Sequence, residues 1–212
     1  MRLLLLPGLL AGSVAAPSQT TPPQTAPAYR LETITAAAAA PSAADTLLRL
    51  PWPLTQVVAK RRGTLTLPLR SGAKTLRDYH QHTDFDGQVG YQHHGYLAAV
   101  RLHLVEVTYY ESTEWWLVSY DTGAVTRLWN RPQFSPNQQR VATYSAGLEY
   151  SAVPNGVQVF QVTPGRLTPL VTLRPDGWEP QRLAWRDNRT LDVQAKVGPN
   201  LEHTVYKRLT LR

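Results

Sequence analysis

Apolar and polar residues alternate with a period of two, not the ~3.6 of a helix, over most of the chain after Gly63. Residues 64–69 read Thr-Leu-Thr-Leu-Pro-Leu, and residues 191–197 read Leu-Asp-Val-Gln-Ala-Lys-Val. This alternation is typical of β-strands that turn one face to a core and the other to water. No stretch after residue 60 has a helical period. We therefore predict an all-β domain built of antiparallel sheets.

Two segments depart from simple alternation. Residues 115–118, Trp-Trp-Leu-Val, are apolar at four consecutive positions, which predicts a central strand buried on both faces. In residues 100–109 the apolar positions change parity at Leu104 and Val105. A β-bulge at that point would restore a single buried face.

A strand–turn–strand unit occurs twice, 42 residues apart. The first copy covers residues 116–128 and the second covers residues 157–170. Each has a glycine at its turn, Gly123 or Gly165, where a positive φ is cheap for a residue without a Cβ. A period of about 40–45 residues with four short strands is typical of propeller blades.

Two turn sequences in this repeat resemble a known family. Residues 134–137, Phe-Ser-Pro-Asn, resemble the F-S-P-D/N-G turn of secreted bacterial propeller repeats related to the TolB and WD40 groups. Residues 120–123, Tyr-Asp-Thr-Gly, resemble the D-x-x-T-G hairpin that precedes it, and Gln138 stands where the family has glycine. The match covers about residues 114–197, roughly two blades. The resemblance implies a binding scaffold to which no catalytic residues carry over.

The length of the domain leaves its architecture open. About 165 residues would make at most four short blades, the low end for ring closure. We therefore expect a small or incomplete β-propeller-like domain, with a β-sandwich of stacked meanders as the alternative. Unclosed sheet edges would need cover from residues 44–60 or from a second subunit.

The first 45 residues differ in composition from the rest. Arg2, an apolar run over residues 3–11 and small residues at 13–15 have the order of a cleavable signal peptide, with cleavage expected after Ala15. The apolar run is well short of the ~20 residues that a transmembrane helix needs. Residues 16–45 are rich in Pro, Ala, Thr and Ser, which predicts a linker and leaves an all-β domain over 46–212.

Composition narrows the setting and the partner. The chain has no cysteine, which excludes disulfides, thiol catalysis and the lipid-modified cysteine of bacterial lipoproteins. We expect a secreted or periplasmic protein from a bacterium, with no membrane span after signal cleavage. The net charge of +7 is spread along the chain, which disfavours nucleic acid. The expected partner is a protein or glycan of the cell envelope, and open sheet edges would also allow a homo-oligomer.

A cluster of histidines suggests metal binding. On a strand, His80 and His82 project from one face, and Asp84 and His93 would complete a site for zinc or another divalent ion. The alternative is a polar surface hairpin, because Asp86-Gly87 is a turn sequence. A divalent metal is the one cofactor that the sequence suggests.

The aromatic residues Tyr110, Trp115 and Trp116 predict either a surface that binds carbohydrate or peptide, or core packing. Residues 121–123, Asp-Thr-Gly, match the nucleophile motif of aspartic proteases, but the repeat accounts for them as a hairpin turn in which Asp121 accepts backbone hydrogen bonds. Candidates for the carboxylate pair of a glycosidase are Glu106, Glu111, Glu114, Asp176 and Asp187.

These patterns favour a non-enzymatic function. We predict an exported propeller-like domain for recognition or interaction in the bacterial cell envelope. A secreted hydrolase, acting through the histidine-rich metal site or through a carboxylate pair, is the alternative.

Overall fold

The computed structural model describes residues 29–39, 55–80, 87–147 and 153–212. These residues form fourteen strands, short 3-10 turns at Ala36–Ala38 and Ala98–Val100, and no α-helix. The described residues contain no helix with the length and apolar character to cross a membrane. The strands are Tyr29–Ile34 (β1), Thr64–Pro68 (β2), Ala73–Arg77 (β3), Val89–Leu97 (β4), Leu102–Tyr109 (β5), Thr113–Ser119 (β6), Val125–Leu128 (β7), Gln133–Phe134 (β8), Arg140–Ser145 (β9), Gly156–Thr163 (β10), Arg166–Leu173 (β11), Trp178–Trp185 (β12), Thr190–Val197 (β13) and His203–Leu211 (β14).

The strands form three four-stranded sheets and one hairpin, all antiparallel, which confirms the predicted all-β class. The hairpin sheet is β2–β3. The first sheet has the order β4–β5–β6–β7, and the second has the order β11–β10–β9–β8. The third sheet joins β12, β13 and β14 to β1 from the other end of the chain. Neighbours in each sheet are therefore neighbours in sequence, with β1 as the exception.

The sheets stack face to face in the order hairpin, first, second, third. One apolar cluster joins the hairpin to the first sheet, a second joins the first sheet to the second, and a third joins the second sheet to the third. Burying one leucine or valine side chain contributes about 1.5–3 kcal/mol. Representative members of the three clusters are, in order, Leu65 with Val105, Leu104 with Phe160, and Val159 with Val193.

The first sheet is buried on both faces. In β6, Trp115 and Leu117 belong to the cluster shared with the second sheet, and Trp116 and Val118 belong to the cluster shared with the hairpin. This confirms the prediction of a central strand, because alternate side chains of a strand point to opposite faces.

The predicted bulge in β5 is wrong. This strand pairs with β6 without interruption from Leu102 to Thr108. Leu104 and Val105 differ in parity because they enter different clusters, so no bulge is needed. The irregularity lies instead on the neighbouring strand β4, where the register shifts between His93 and Gly95.

The outer faces of the stack are polar. In β13, alternate residues from Leu191 enter the apolar cluster, so Asp192 and Gln194 lie on the opposite face. In the hairpin, Leu65 and Leu67 are buried and Thr66 is exposed. Within the described ranges, no apolar cluster joins the third sheet to the hairpin. The three apolar layers therefore make an open stack of four sheets.

Strand β1 lies inside the segment that the composition predicts as linker. It pairs with β14 over six residues, from Tyr29 opposite Leu211 to Ile34 opposite Tyr206. The linker prediction is therefore wrong for residues 29–39, which belong to the fold. The alternation Tyr-Arg-Leu-Glu-Thr fits an edge strand, but its Pro- and Ala-rich flanks concealed it. The predicted signal peptide and residues 40–45 lie outside the described residues.

An ion pair fixes the turn that follows β1. The Arg208 guanidinium donates to both carboxylate oxygens of buried Asp192, from Nε at 2.7 Å and from Nη2 at 3.0 Å. Arg208 Nη2 also donates to the Ala38 carbonyl at 2.7 Å, and Arg186 Nη1 donates to the same oxygen at 3.0 Å. A bidentate pair of this kind has a defined geometry. It holds the turn against the polar face of the third sheet.

The two repeat turns, one in the first sheet and one in the second, lie against each other. Both glycines have the predicted positive φ, 72° at Gly123 and 73° at Gly165. The Gly165 N–H donates to the Val100 carbonyl at 2.6 Å, and a Cβ at Gly165 would overlap the Asp121 carboxylate. Asp121 itself pairs with Arg101 at 3.0 Å. The positive φ and this close approach of the backbone to the carboxylate favour glycine at position 165, because an added Cβ would displace Asp121 from its place beside Arg101.

The role predicted for Asp121 needs correction. Its turn is closed by two hydroxyl groups: Ser119 Oγ accepts from the Thr122 N–H at 3.3 Å, and Thr122 Oγ1 accepts from the Ala124 N–H at 3.2 Å. The carboxylate of Asp121 faces Arg101, because that cation lies close to the turn. The side chain therefore joins two loops by charge.

Replacing Gly165 by alanine tests this junction. We expect Gly165→Ala to lower the free energy of unfolding by about 2–4 kcal/mol, because the new Cβ adds a steric overlap to a left-handed backbone. Gly177→Ala is the matched control: its φ is 80°, but nothing lies within 4 Å of the added carbon. The control should lose only about 1 kcal/mol, the cost of the backbone conformation. Urea denaturation measures both, and equal losses would contradict the proposed overlap.

Candidate functional site

A cleft of 540 Å³ lies at one end of the three four-stranded sheets. Ligand pockets in proteins commonly have volumes of about 300–1,000 Å³. Each sheet contributes to the wall. The lining consists of residues 108–113 at the β5–β6 turn, 129–130 after β7, 144–146 at the end of β9, Val153, and residues 180–181 of β12.

The β5–β6 turn is held by hydrogen bonds on both sides. The Tyr109 N–H donates to the Ser112 carbonyl at 2.8 Å, and the Tyr109 hydroxyl donates to the buried carboxylate of Glu114. Burial raises the pKa of Tyr109, and the hydrogen bond to Glu114 raises it further, so the phenol stays protonated. These bonds fix the turn, and its residues Tyr110 and Glu111 are exposed to solvent.

The opposite wall is tied to the second sheet. The Asn130 N–H donates to Thr143 Oγ1 at 2.7 Å, and that hydroxyl donates to the Asn130 carbonyl at 2.9 Å. The Trp129 N–H donates to Gln158 Oε1 at 3.2 Å. These bonds fix the main chain that links β7 to β8, and Trp129 and Asn130 of this segment line the cleft.

The third part of the wall depends on Asn155. Its Nδ2 group donates to the carbonyls of Pro175 and Trp178, at 3.2 and 2.9 Å. These bonds hold the chain before β10 against the start of β12, where Pro180 and Gln181 line the cleft. The third wall is thus positioned by a loop of the second sheet that bonds to the start of the third sheet.

The lining is aromatic and polar but nearly uncharged. Tyr109, Tyr110, Trp129 and Tyr144 supply rings, and hydroxyls and amides supply hydrogen-bonding groups. Glu111 is the one carboxylate among the described lining residues. Hydrolysis of a glycoside by general acid and base normally requires two carboxyl groups. The described lining supplies one of the two carboxyl groups that this chemistry uses.

The predicted aromatic surface is divided by the fold. Trp115 and Trp116 are each 8% exposed and point to opposite faces of β6, so they are core residues. Tyr110 is 51% exposed and lines the cleft. The sequence did not predict the other lining residues, such as Trp129 and Tyr144, because they come from separate segments that only the folded sheets bring together.

The remaining carboxylate candidates lie apart from one another, and two of them have partners of their own. Glu106 contacts His94 Nε2 at 2.6 Å, and the His94 ring lies against Trp115 with centroids 4.7 Å apart. Asp187 Oδ1 accepts from the N–H groups of Arg189 and Thr190, which closes the β12–β13 turn. Asp176 is exposed.

The predicted metal ligands are only partly described. His80 is exposed and His93 is buried, and His82 and Asp84 lie outside the described residues. In the ranges that the structure describes, no group of three or more His, Asp or Glu residues is placed to hold a metal ion. The metal site stays a prediction.

His93 takes part in a different arrangement, a buried pair with His103. The Val58 N–H donates to His93 Nδ1 at 2.9 Å, so this nitrogen carries no proton. His93 Nε2 then carries the proton and donates to His103 Nδ1 at 3.1 Å. His103 Nε2 in turn donates to the Pro68 carbonyl at 2.8 Å. The chain of bonds fixes the tautomer of each ring and requires both rings to be neutral.

The environment of the pair favours the same protonation state. Burial lowers the pKa of His93 to about 4, and the neighbouring His103 acts in the same direction. Burial also lowers the pKa of His103. Both nitrogens of each ring are engaged, so the pair connects residue 58 and the end of β2 to the first sheet. We interpret it as structural.

The histidine pair gives the folded protein a dependence on pH. Between the unfolded pKa of 6.5 and the folded value of about 4, the unfolded chain binds a proton at position 93 and the folded chain does not. The free energy of unfolding is therefore highest above pH 6.5 and falls as the pH drops to 4, by about 3 kcal/mol. Urea denaturation across this range measures the slope.

His93→Gln should reduce that slope, because the titrating group is gone. His203→Gln is the control, since this histidine side chain is 73% exposed, and its slope should match that of the wild type. A wild-type stability that does not change between pH 6.5 and 4 would contradict the neutral, buried pair.

Comparison with known proteins adds no relative. Family models, curated proteins and solved structures were all compared with this chain, and none matches it. Its function must therefore be inferred from the cleft itself.

Proposed function

We propose that this chain is an exported, non-enzymatic recognition module of the bacterial cell envelope, and that the cleft is its binding site. The observation that carries the proposal is the composition of the cleft: three sheets converge on a wall of aromatic rings, hydroxyls and amides. Binding sites typically combine apolar and aromatic surface with a few placed polar groups. The single carboxylate in the described lining supports binding over hydrolysis.

We further propose that the sheets are blades of a small, incomplete propeller. Successive four-stranded meanders packed by their faces support this interpretation. Gln138 adds to it: this residue has a φ of 62°, the left-handed conformation that favours the family's glycine at the same place. The polar outer faces of the stack favour an incomplete ring over a closed one.

Two features bear on the proposed partners. The outer edge strand β11 contains Pro169, which cannot donate to a neighbouring strand, and its register shifts near Leu170. Edge strand β1 has the charged residues Arg30 and Glu32. Both devices oppose pairing between sheets of two copies, so we favour an envelope component over a second copy as the partner.

Export is tested by the mass of the mature protein. When the full chain is produced in a bacterium, we expect the exported form to begin at Ala16, because Ser13 and Ala15 occupy the positions that a signal peptidase reads. Ala15→Tyr should block processing, and Gln19→Tyr, beyond the cleavage point, should not. Intact mass spectrometry of the fractions distinguishes the forms. A wild-type chain that keeps Met1 in the cytoplasm would overturn the proposed export.

Binding to the envelope is tested by co-sedimentation with envelope fractions of a producing bacterium. We expect Tyr110→Ala and Gln181→Ala to weaken sedimentation at least tenfold, since both residues line the cleft. Tyr79→Ala is the matched control, because Tyr79 and Tyr110 are both 51% exposed. All variants should keep the wild-type urea midpoint. Equal sedimentation of cleft variants and control would overturn the cleft as the recognition site.

A further inference from the structure

We infer that the cleft takes an uncharged oligosaccharide. This inference rests on the proposed recognition function and adds the chemical class of the ligand. It follows from the charge of the cleft, from the kind of hydrogen-bonding groups in its wall, and from the strand that borders it.

The charge of the cleft lining supports a neutral ligand. The chain has a net charge of +7, yet the one charged residue in the described lining is the anionic Glu111. The cation Arg182 follows the lining residue Gln181, and it acts on Tyr144: burial raises the pKa of Tyr144, and Arg182 opposes the rise. Among the described lining residues and Arg182, one anion therefore stands beside one cation, with no cluster of either sign. A strongly anionic or cationic ligand would find no matching cluster of charge in the described lining.

The polar groups of the wall match hydroxyl groups. The hydroxyls of Ser112, Thr113 and Ser145 can both donate and accept, as each sugar hydroxyl can. Asn130 Oδ1 accepts from the Arg131 N–H at 2.7 Å, which leaves the Nδ2 group of Asn130 to donate. The wall thus offers hydrogen-bond donors and acceptors to a ligand that needs both at many positions.

The rings supply the apolar part of the contact. Tyr110 is half exposed at the β5–β6 turn, and Trp129 and Tyr144 are half-buried in the other walls. A rigid aromatic ring offers a large apolar area at low entropic cost, and the C–H faces of a pyranose pack against such rings. Aromatic rings beside uncharged donors and acceptors therefore fit both surfaces of a sugar.

An extended peptide fits less well. Peptides commonly bind by adding a strand to a free sheet edge, with main-chain hydrogen bonds supplying affinity. Strand β12 is the edge of the third sheet at the cleft, and it places Pro180 there. Proline has no N–H, so this edge lacks a donor where a peptide would need one.

The test is isothermal titration of the purified chain with five probes: cellohexaose and chitohexaose, which are neutral; hexagalacturonate, an anion; a chitosan hexamer, a cation; and a neutral Ser/Ala hexapeptide. We expect at least one neutral hexasaccharide to bind and the other three probes to bind at least tenfold more weakly. Tyr110→Ala and Gln181→Ala should weaken that binding at least tenfold, and Tyr79→Ala should leave it unchanged.

Each other outcome has a defined meaning. No binding of either neutral hexasaccharide at millimolar concentration overturns the ligand class, while the envelope co-sedimentation still tests the recognition function. Preferred binding of the peptide or of a charged probe, lost in Tyr110→Ala, overturns the ligand class and supports recognition by the cleft. Binding of a neutral hexasaccharide that is unaffected by both cleft variants places the site elsewhere and overturns both proposals.

Discussion

The first sheet is apolar on both faces, and a sheet of this kind is stable only with a packed partner on each side. Its central strands send Trp115 and Leu117 to one partner and Trp116 and Val118 to the other. The hairpin covers one face and the second sheet covers the other. The second sheet repeats the arrangement, because β10 sends Val159 to one cluster and Phe160 to another. Each sheet therefore packs against the next through an apolar face, and this packing sets the order of the sheets in the stack.

The cleft is a consequence of that stack. Since three sheets are held face to face, their turns at one end come together, and side chains far apart in sequence line one concave surface. The hydrogen bonds of Asn130, Thr143 and Asn155 then fix the connecting segments to the sheets behind them. Rigid placement of this kind lowers the conformational entropy that a ligand would have to remove on binding.

Local pattern predicted the strands well, because burial and period are read from neighbouring residues. It predicted β6 as a central strand and glycine at both repeat turns. It failed at Leu104 and Val105, since a change of parity looks the same for a bulge and for a strand buried on both faces. It also could not reveal the His93–His103 pair, whose tautomers depend on Val58 and Pro68 from other segments. Contacts that form only between elements leave no period in the sequence.

The pairing of β1 with β14 brings together segments that lie near opposite ends of the chain, as the contact of Lys207 with Thr33 illustrates. Closing so long a loop must precede the gain from the contacts it makes, and non-local pairings of this kind slow folding. The third sheet therefore cannot be completed before β14 has been synthesised. Under the export proposed above, this late closure would be an advantage, because the third sheet could form only after β14 had crossed the membrane.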